Sequence, residues 1–315
     1  MNLHENKGEF EQLIVLAAKH IGIPDDAVRR DYYIVKMTQN LQNSEYADMC
    51  VFKGGTSLSK CYPGSINRFS EDIDLTFIPA DDINNKKYSK VLKRVESTIA
   101  SGFQMEKIES ERNDRNKSAY VWPENENRDT CRVKLEIGSS VRPDPFSKRE
   151  MKTYIQEYLE REGMNDVIAE FELEAVLINT LDITRTFLDK VMSVKRHAIC
   201  GTLMRKVRHI YDVTILFERS DIQNFLKDFE SLKQLLILTK ETDRFYLQKR
   251  NILEGYNPVG AYCFEDWKQY FTDDDIKRRY ETLHEDLLYT SEKQNFDDAV
   301  HTFEKISEIF SVIGE

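Results

Sequence analysis

The chain has 315 residues and a formal net charge of −10, and 40% of its residues are hydrophobic. This composition predicts a globular protein of one large or two moderate domains. The lack of an apolar run near 20 residues excludes a membrane-spanning helix, and we expect no membrane partner. The first residues lack the apolar stretch of a signal peptide, and five cysteines without a Cys-x-x-Cys pair indicate reduced thiols. We therefore expect a cytoplasmic protein.

The first two elements predicted along the chain are helices. An apolar stripe between Phe10 and Ile21 indicates one helix, and Pro24 starts a second that runs toward Leu41. Residues 50–78 then predict, in order, a strand, a tight turn, a helix start and a second strand.

Alternating patterns and turn residues downstream predict a mixed sheet. We expect a helix over 87–100 and strands over 103–108, 118–122 and 131–137. After residue 145 helical patterns dominate, apart from a strand near 174–181. The segment 264–289 is amphipathic, and an apolar stripe over 296–310 predicts a core helix. These patterns predict an α+β fold with domains over 1–145 and 146–315, the second mainly helical.

Two carboxylates stand two residues apart in Asp72-Ile73-Asp74-Leu75. Polar and apolar residues alternate there as in a half-buried strand, so Asp72 and Asp74 share a face with α carbons about 6.5 Å apart. Carboxylates about 4 Å apart repel by roughly 4 kcal/mol at an effective dielectric of 20. A divalent cation with oxygen ligands removes that cost. The alternative is a solvated acidic turn or strand edge.

A glycine-hydroxyl turn precedes this pair. Gly54 and Gly55 allow positive φ and close backbone approach, and Thr56 or Ser57 is a suitable N-cap for the following helix. Because a helix N-terminus offers free amide donors, the turn predicts a site for the triphosphate of a nucleotide. An ordinary strand-to-helix turn is the alternative.

A third carboxylate is expected on a neighbouring strand. The segment 131–137 alternates and places Lys134 and Glu136 on one face. Phosphoryl transfer by two metal ions uses ions about 3.5–4 Å apart, and Glu136 would complete such a site. The alternative is an exposed Lys-x-Glu pair on an edge strand.

The segments Phe52–Lys60 and Arg68–Leu75 resemble the AbiEii/AbiGii-type nucleotidyltransferase toxins, a family of the DNA-polymerase-β-like superfamily. The resemblance continues in four further blocks and covers about residues 25–216. These blocks are Arg30–Val35, Lys134–Ile137, Arg185–Lys190 and Arg208–Asp212. It implies a polymerase-β-like nucleotidyltransferase core with a mixed sheet and a mainly helical C-terminal half. A longer connection between the turn and the aspartates leaves open whether Thr56 or Ser57 takes the motif serine's role.

The resemblance implies a set of site residues. Asp72, Asp74 and Glu136 would bind metal. The residues expected to contact the nucleotide are Lys53, Gly54, Gly55, Thr56, Ser57, Arg68 and Ser70. Lys190 would contact a β- or γ-phosphate, and Asp212 would hold Lys190 or Arg208 by a charge-assisted hydrogen bond. The alternatives are an exposed helical lysine and a salt bridge on a helix face.

The implied activity is magnesium-dependent transfer of a nucleoside monophosphate from an NTP, with two ions, as in the toxin of a type IV abortive-infection system. The expected partners are the NTP, an RNA acceptor such as the tRNA 3′ end, and a cognate antitoxin. The charge of −10 opposes RNA binding, whereas basic runs over 148–152, 195–196 and 205–209 favour it. A nucleotidyltransferase acting on a small molecule or protein, and a nucleotide-binding module without turnover, remain alternatives.

Overall fold

The computed structural model describes residues 2–78, 85–139, 142–247, 256–285 and 287–314, without the side chains of residues 85, 86, 245 and 246. Contacts divide the chain into two compact units. Unit 1 comprises Met1–Tyr62 and Phe69–Leu181, and unit 2 comprises Pro63–Arg68 and Asp182–Glu315.

Unit 1 is a seven-stranded mixed sheet packed with helices. Its helices are α1 Lys7–Ile21, α2 Asp25–Gln42, α3 Gly54–Cys61, α4 Asn85–Ile99, α5 Arg128–Cys131, α6 Tyr154–Arg161 and α7 Asn165–Glu170. Its strands are β1 Cys50–Lys53, β2 Asp72–Phe77, β3 Gln104–Lys107, β4 Asn116–Trp122, β5 Val133–Gly138, β6 Phe146–Met151 and β7 Val176–Leu181. The strand order is β3-β4-β5-β2-β1-β7-β6, so β2 is the central strand.

Strand pairing in this sheet follows the alternation of the sequence. β2 runs antiparallel to β1 and parallel to β5, and β4 runs antiparallel to β5. On β2 the apolar residues Ile73 and Leu75 are buried, whereas Asp72 and Asp74 are partly exposed. The predicted α+β class and mixed sheet are confirmed.

The strand β6 was not predicted from the sequence, and the expectation of helical structure directly after residue 145 is wrong. β6 pairs with β7 at one edge of the sheet, with Phe146 opposite Leu181 and Met151 opposite Val176. Its side chains are mostly exposed, so the strand lacks the apolar alternation that marks a buried strand. The sheet thus continues to Leu181, and the division into domains 1–145 and 146–315 stays a prediction.

Unit 2 is helical in its described parts. Its α-helices, among the described residues, are α8 Ile183–Ile199, α9 Val207–Phe217, α10 Ser220–Lys227, α11 Phe229–Leu247, α12 Lys268–Phe271, α13 Asp274–Glu281 and α14 Phe296–Val312. The apolar stripe predicted over 296–310 lies on α14 and contributes Phe303 and Phe310 to the core, which confirms that prediction. The segment 264–289 contains α12, α13 and two short 3-10 helices rather than one long helix.

An aromatic cluster forms much of the core of unit 2. Trp267 is 1% exposed and makes edge contacts with Tyr262 and Phe264 at ring-centroid distances of 5.7 and 4.7 Å. The ring centroids of Phe303 and Phe271 are 4.9 Å apart. No helix among the described residues has the length and apolar content needed to cross a membrane.

The short segment Pro63–Arg68 joins unit 2 although it lies between α3 and β2 in the chain. Arg68 forms an isolated antiparallel bridge with Leu288, and the Tyr289 N–H donates to the Asn67 carbonyl at 3.0 Å. These backbone contacts place Arg68 in the helical unit, whereas Asp72 belongs to the sheet unit.

A buried ion pair holds the C-terminal end of α3 in unit 1. Lys60 Nζ lies 2.7 Å from Asp31 Oδ1 of α2, with side chains only 2% and 7% exposed. The same ammonium lies 3.6 Å from the ring centroid of Tyr154, whose N–H donates to Asp31 Oδ2 at 2.7 Å. Asp31 therefore links α2, α3 and the start of α6.

We expect Lys60→Met to lower the free energy of unfolding by about 3–5 kcal/mol, the scale for removing one partner of a buried pair. Urea denaturation followed by circular dichroism measures this change. Lys152→Met is the matched control in unit 1, because Lys152 pairs with Glu160 at 2.9 Å near the surface. Exposed pairs contribute less than about 1 kcal/mol.

The pH dependence of this variant is a second readout. Burial raises the pKa of Asp31, and the Lys60 charge counteracts that rise. Without Lys60 the folded protein binds a proton on Asp31 at a pH where the unfolded chain does not, so stability falls as pH rises through this window. The loss should therefore be smaller at pH 5 than at pH 8. An equal loss at both pH values would contradict this account of Asp31.

Candidate active site

The three predicted metal-binding carboxylates lie on one face of two neighbouring strands. β2 and β5 are parallel with Asp72 opposite Lys134 and Asp74 opposite Glu136. Paired residues on adjacent strands project to the same face, and the strands are about 4.8 Å apart. The register therefore brings Asp72, Asp74 and Glu136 to one surface of the sheet, which we call the acidic face.

Lysines accompany these carboxylates on the acidic face. Lys53 at the end of β1 is opposite Asp74, and Lys134 is opposite Asp72. Lys134 Nζ lies 2.7 Å from Glu111 Oε2 and 3.7 Å from Glu136 Oε2. The sequence placed Lys134 beside Glu136 but gave no indication that Lys134 would also neighbour Asp72, because that contact depends on strand pairing.

The carboxylates share a face without forming a ready metal cluster. Across the described ranges, no group of three or more His, Cys, Asp or Glu side chains is arranged to hold an ion. Asp72 and Asp74 each have an interaction of their own, and Glu136 lies near Lys134. Hard carboxylate oxygens in this arrangement are of the kind that Mg²⁺ prefers. The metal-binding role of the three residues stays a prediction.

The glycine turn meets the acidic face at Gly54. Gly54 has φ of +85°, and a Cβ added there would lie 2.5 Å from Asp74 Oδ2. A side chain at Gly54 would be strained at this φ and would have to displace the Asp74 carboxylate. The start of α3 and the Asp74 carboxylate therefore pack directly against each other.

The predicted N-cap is wrong, because α3 begins at Gly54 and its N-cap position is Lys53. Ser57 Oγ donates to the Gly54 carbonyl at 3.0 Å within the first turn, and Gly55 lies in the same turn. Thr56 Oγ1 donates to Ser70 Oγ at 2.9 Å, just before β2. Of the two candidates for the motif serine, Thr56 is bonded to the segment that leads into the aspartate strand, whereas Ser57 closes its own turn.

A second cluster of predicted residues lies in unit 2. Asp212 accepts from Arg68 Nε at 2.5 Å and from Arg68 Nη2 at 2.7 Å, and Lys190 Nζ lies 2.7 Å from Asp212 Oδ2. All three side chains are at most 6% exposed. Asp212 thus holds Lys190 as predicted, together with Arg68, whereas Arg208 is exposed. Arg68 was predicted only as a nucleotide contact, and its pairing with Asp212 could not be found across 144 positions of sequence.

The electrostatics of this cluster favour an anion. Burial would raise the pKa of Asp212, but the charges of Arg68 and Lys190 outweigh it and lower the pKa to about 2. Burial also lowers the pKa of Lys190, despite Asp212. The pKa of His209 falls well below its ordinary value through burial and through the charges of Lys190, Lys206 and Arg68. Two cations share one carboxylate, so the cluster carries net positive charge.

Several cations of the basic runs that favour RNA binding make contacts within the protein, whereas Arg205 and Arg208 of the run 205–209 are exposed. In unit 2, Lys195 Nζ donates to the Ala261 carbonyl at 2.6 Å and Arg196 pairs with Asp243 at 2.7 Å. In unit 1 the run 148–152 is likewise engaged. Its contacts are Lys148 with Asp48 at 3.0 Å, Arg149 over the Tyr62 ring at 4.1 Å and Lys152 with Glu160 at 2.9 Å. Part of the run 148–152 stays at the surface, since the Lys148 side chain is 61% exposed.

Comparison with known proteins identifies the family. The family model for "Nucleotidyl transferase AbiEii toxin, Type IV TA system" matches residues 36–302. The fold is similar to that of MenT4, a nucleotidyltransferase toxin from Mycobacterium tuberculosis H37Rv, at 15% sequence identity and a TM-score of 0.50 over 95% of this chain and 98% of that chain. No curated protein matches the chain in sequence. The chain therefore belongs to the AbiEii nucleotidyltransferase toxins of type IV toxin–antitoxin systems.

Proposed function

We propose that this nucleotidyltransferase toxin transfers a nucleoside monophosphate from an NTP to a hydroxyl of RNA in a divalent-metal-dependent reaction. The tRNA 3′ end is the acceptor that the family resemblance favours. The substrate hydroxyl attacks the α-phosphorus, the bond to the β-phosphate oxygen breaks, and pyrophosphate leaves. The single observation that carries this proposal is the strand register that puts Asp72, Asp74 and Glu136 on one face.

The residues on the acidic face fit a magnesium site by their chemistry. Asp72, Asp74 and Glu136 offer only oxygen ligands, and β2 and β5 hold their backbones at neighbouring positions. When bound, two divalent ions would supply charge neutralisation at the phosphates and activation of the attacking hydroxyl. Without a cation, repulsion among these carboxylates opposes their convergence.

Backbone amides in unit 1 and a cationic cluster in unit 2 are each of a kind that binds phosphate. In unit 1 the first turn of α3 presents backbone N–H groups beside Asp74, a favourable place for phosphate oxygens. In unit 2 the net positive cluster of Arg68, Lys190 and Asp212 provides a buried charge for an anion. Lys190 would donate to phosphate, and Asp212 would keep Lys190 and Arg68 in position.

Family membership implies an antitoxin partner and an NTP substrate. We propose that the enzyme acts in the cytoplasm on the host's RNA, and that the antitoxin suppresses growth inhibition caused by that reaction. A small-molecule or protein acceptor would use the same core, so the acceptor must be tested directly.

Labelled-nucleotide transfer tests the acceptor. Each α-³²P-labelled NTP is incubated with the enzyme and, separately, total RNA, total protein and aminoglycoside-type small molecules. We expect label on RNA, loss of labelling in EDTA, and recovery with excess Mg²⁺. Asp74→Asn should lower the rate by about 10²–10³-fold or more, the scale for loss of a transition-state charge partner. Label on protein alone, or undiminished transfer by Asp74→Asn, would refute the proposal.

Gly54→Ala tests the contact between the glycine turn and Asp74. Because the new Cβ would lie 2.5 Å from Asp74 Oδ2, the carboxylate must move, and a displacement of about 1 Å can cost about 10²-fold in rate. Gly22→Ala is the matched control, since Gly22 has φ of +82° with open space around the added Cβ. It should lower stability without lowering the transfer rate, and equal activity losses in both variants would contradict the Asp74 contact.

Lys190→Met tests the cationic cluster. We expect kcat/KM for the NTP to fall by about 10²–10³-fold, because a buried phosphate partner is lost. Lys195→Met is the control, since Lys195 is also a buried lysine of α8 but donates to the Ala261 carbonyl. Both variants lose a buried lysine, so a merely structural effect would appear in both. Transfer by Lys190→Met at the rate of Lys195→Met would exclude a phosphate contact.

A further inference from the structure

Two aromatic side chains, Tyr120 and Trp122, follow one another along β4 and extend the acidic face to this strand. Tyr120 is opposite Lys134 of β5 on one side and Glu106 of β3 on the other, and Lys134 is opposite Asp72. Tyr120 therefore lies on the same face as Asp72, two strands away, about 10 Å between α carbons. Trp122, two residues further along β4, projects to this face as well.

These two rings differ from the other side chains of β4. Ala119 and Val121, which project to the opposite face, are fully buried, whereas Tyr120 and Trp122 are partly exposed. Core packing thus accounts for the residues on the buried face of β4, whereas the two rings on the other face remain partly accessible to solvent. Large aromatic side chains kept partly exposed beside a polar site are typical of binding surfaces.

An arginine guanidinium lies over each of the two rings. Arg132 Cζ lies 4.9 Å from the ring centroid of Tyr120, and Arg128 Cζ lies 5.2 Å from that of Trp122. Both arginine side chains are about 40% exposed, at 43% and 40%. Arg128 Nε is shielded from solvent and has no hydrogen-bond partner among the described residues, although its Nη2 contacts Glu106. Arg132 Nη1 also lies 3.9 Å from Asp129 Oδ1, so the row combines flat apolar surfaces with two half-exposed, partly paired cations and an unused donor.

We propose that Tyr120 and Trp122, with Arg132 and Arg128, form a platform on which successive unpaired bases of the acceptor RNA stack. This inference rests on the proposed RNA acceptor. Residues two apart on a strand place their rings about 6.8 Å apart, within the reach of consecutive nucleotides of an extended strand. Sheets that bind single-stranded RNA use aromatic side chains in this way, and arginines contact the phosphates.

An RNA strand fits this row better than the NTP does. A mononucleotide has one base and can cover one ring, whereas two rings on one strand match two bases. The row runs along β4, and the next residue of β4 on this face, Ser118, is opposite Glu136, so a strand that continues past Tyr120 would reach the level of the predicted metal ligands. The platform explains how a chain with charge −10 can bind RNA, because stacking does not depend on net charge.

Tryptophan fluorescence tests the platform directly. The chain has two tryptophans, and Trp267 is 1% exposed in the core of unit 2, so an added ligand can contact only Trp122. In EDTA, which prevents transfer, a single-stranded RNA 10-mer should quench the fluorescence of the protein. A blunt RNA duplex of equal length should quench little, because its bases are already stacked. Trp122→Phe should remove the signal while keeping affinity.

Affinity measurements on leucine variants give the second readout. Tyr120→Leu or Trp122→Leu should weaken binding of the labelled 10-mer by about 5- to 150-fold, the range for loss of one base–aromatic stack. Tyr120→Phe should retain affinity, and Tyr270→Leu is a control at an exposed tyrosine of unit 2. The slope of log Kd against log salt should stay unchanged in the leucine variants but fall in Arg132→Gln, because only the arginine neutralises phosphate.

Transfer kinetics separate the platform from the proposed function. Trp122→Leu should raise KM for RNA and leave KM for the NTP unchanged. If the wild type labels RNA while both leucine variants bind the 10-mer normally, the platform is refuted and the function stands. If the 10-mer quenches Trp122 but no RNA is labelled, the platform stands and the acceptor proposal fails. A raised KM for the NTP alone would instead identify the rings as a nucleotide-base site and refute the platform.

Discussion

The close packing of the Asp74 carboxylate against Gly54 is the contact on which the candidate site depends. It joins the start of α3 to the central strand of the sheet, and no side chain fits between them because an added Cβ would lie 2.5 Å from Asp74 Oδ2. The other end of α3 is held by the buried pair of Lys60 and Asp31. The helix that would receive phosphate thus packs against the Asp74 carboxylate at one end and is paired with α2 at the other.

Charge is distributed differently in the two units. On the sheet unit, carboxylates dominate one face and are moderated by Lys53 and Lys134. In the helical unit, one carboxylate, Asp212, is shared by two cations and keeps them buried. Acidic groups suit metal ions, and a net positive cluster suits phosphate.

The sequence predicted those parts of the fold that depend on local pattern. Alternation predicted β2 and β5, and helical spacing predicted α14, because one buried face leaves a period in the sequence. β6 has mostly exposed side chains and was missed for that reason. The N-cap of α3 was placed too late, since a glycine with positive φ begins the helix at residue 54.

Contacts between distant parts of the chain could not be predicted in the same way. Glu136 was expected on a neighbouring strand, but its register opposite Asp74 and the pairing of Arg68 with Asp212 depend on strand pairing and helix packing, and neither leaves a local signal. The motifs nevertheless selected both members of each pair as site residues. The basic runs raise the same difficulty, because positive charge in a sequence does not show which arginines and lysines are engaged internally.

The central position of β2 has a consequence for thermal unfolding of the sheet. Three strands lie on either side of it, so its amides are protected from the fraying that opens sheet edges. The carboxylates that it carries cannot be displaced by a small local opening at β3 or β6. On heating, the placement of Asp72 and Asp74 should therefore be lost only when the whole sheet melts cooperatively.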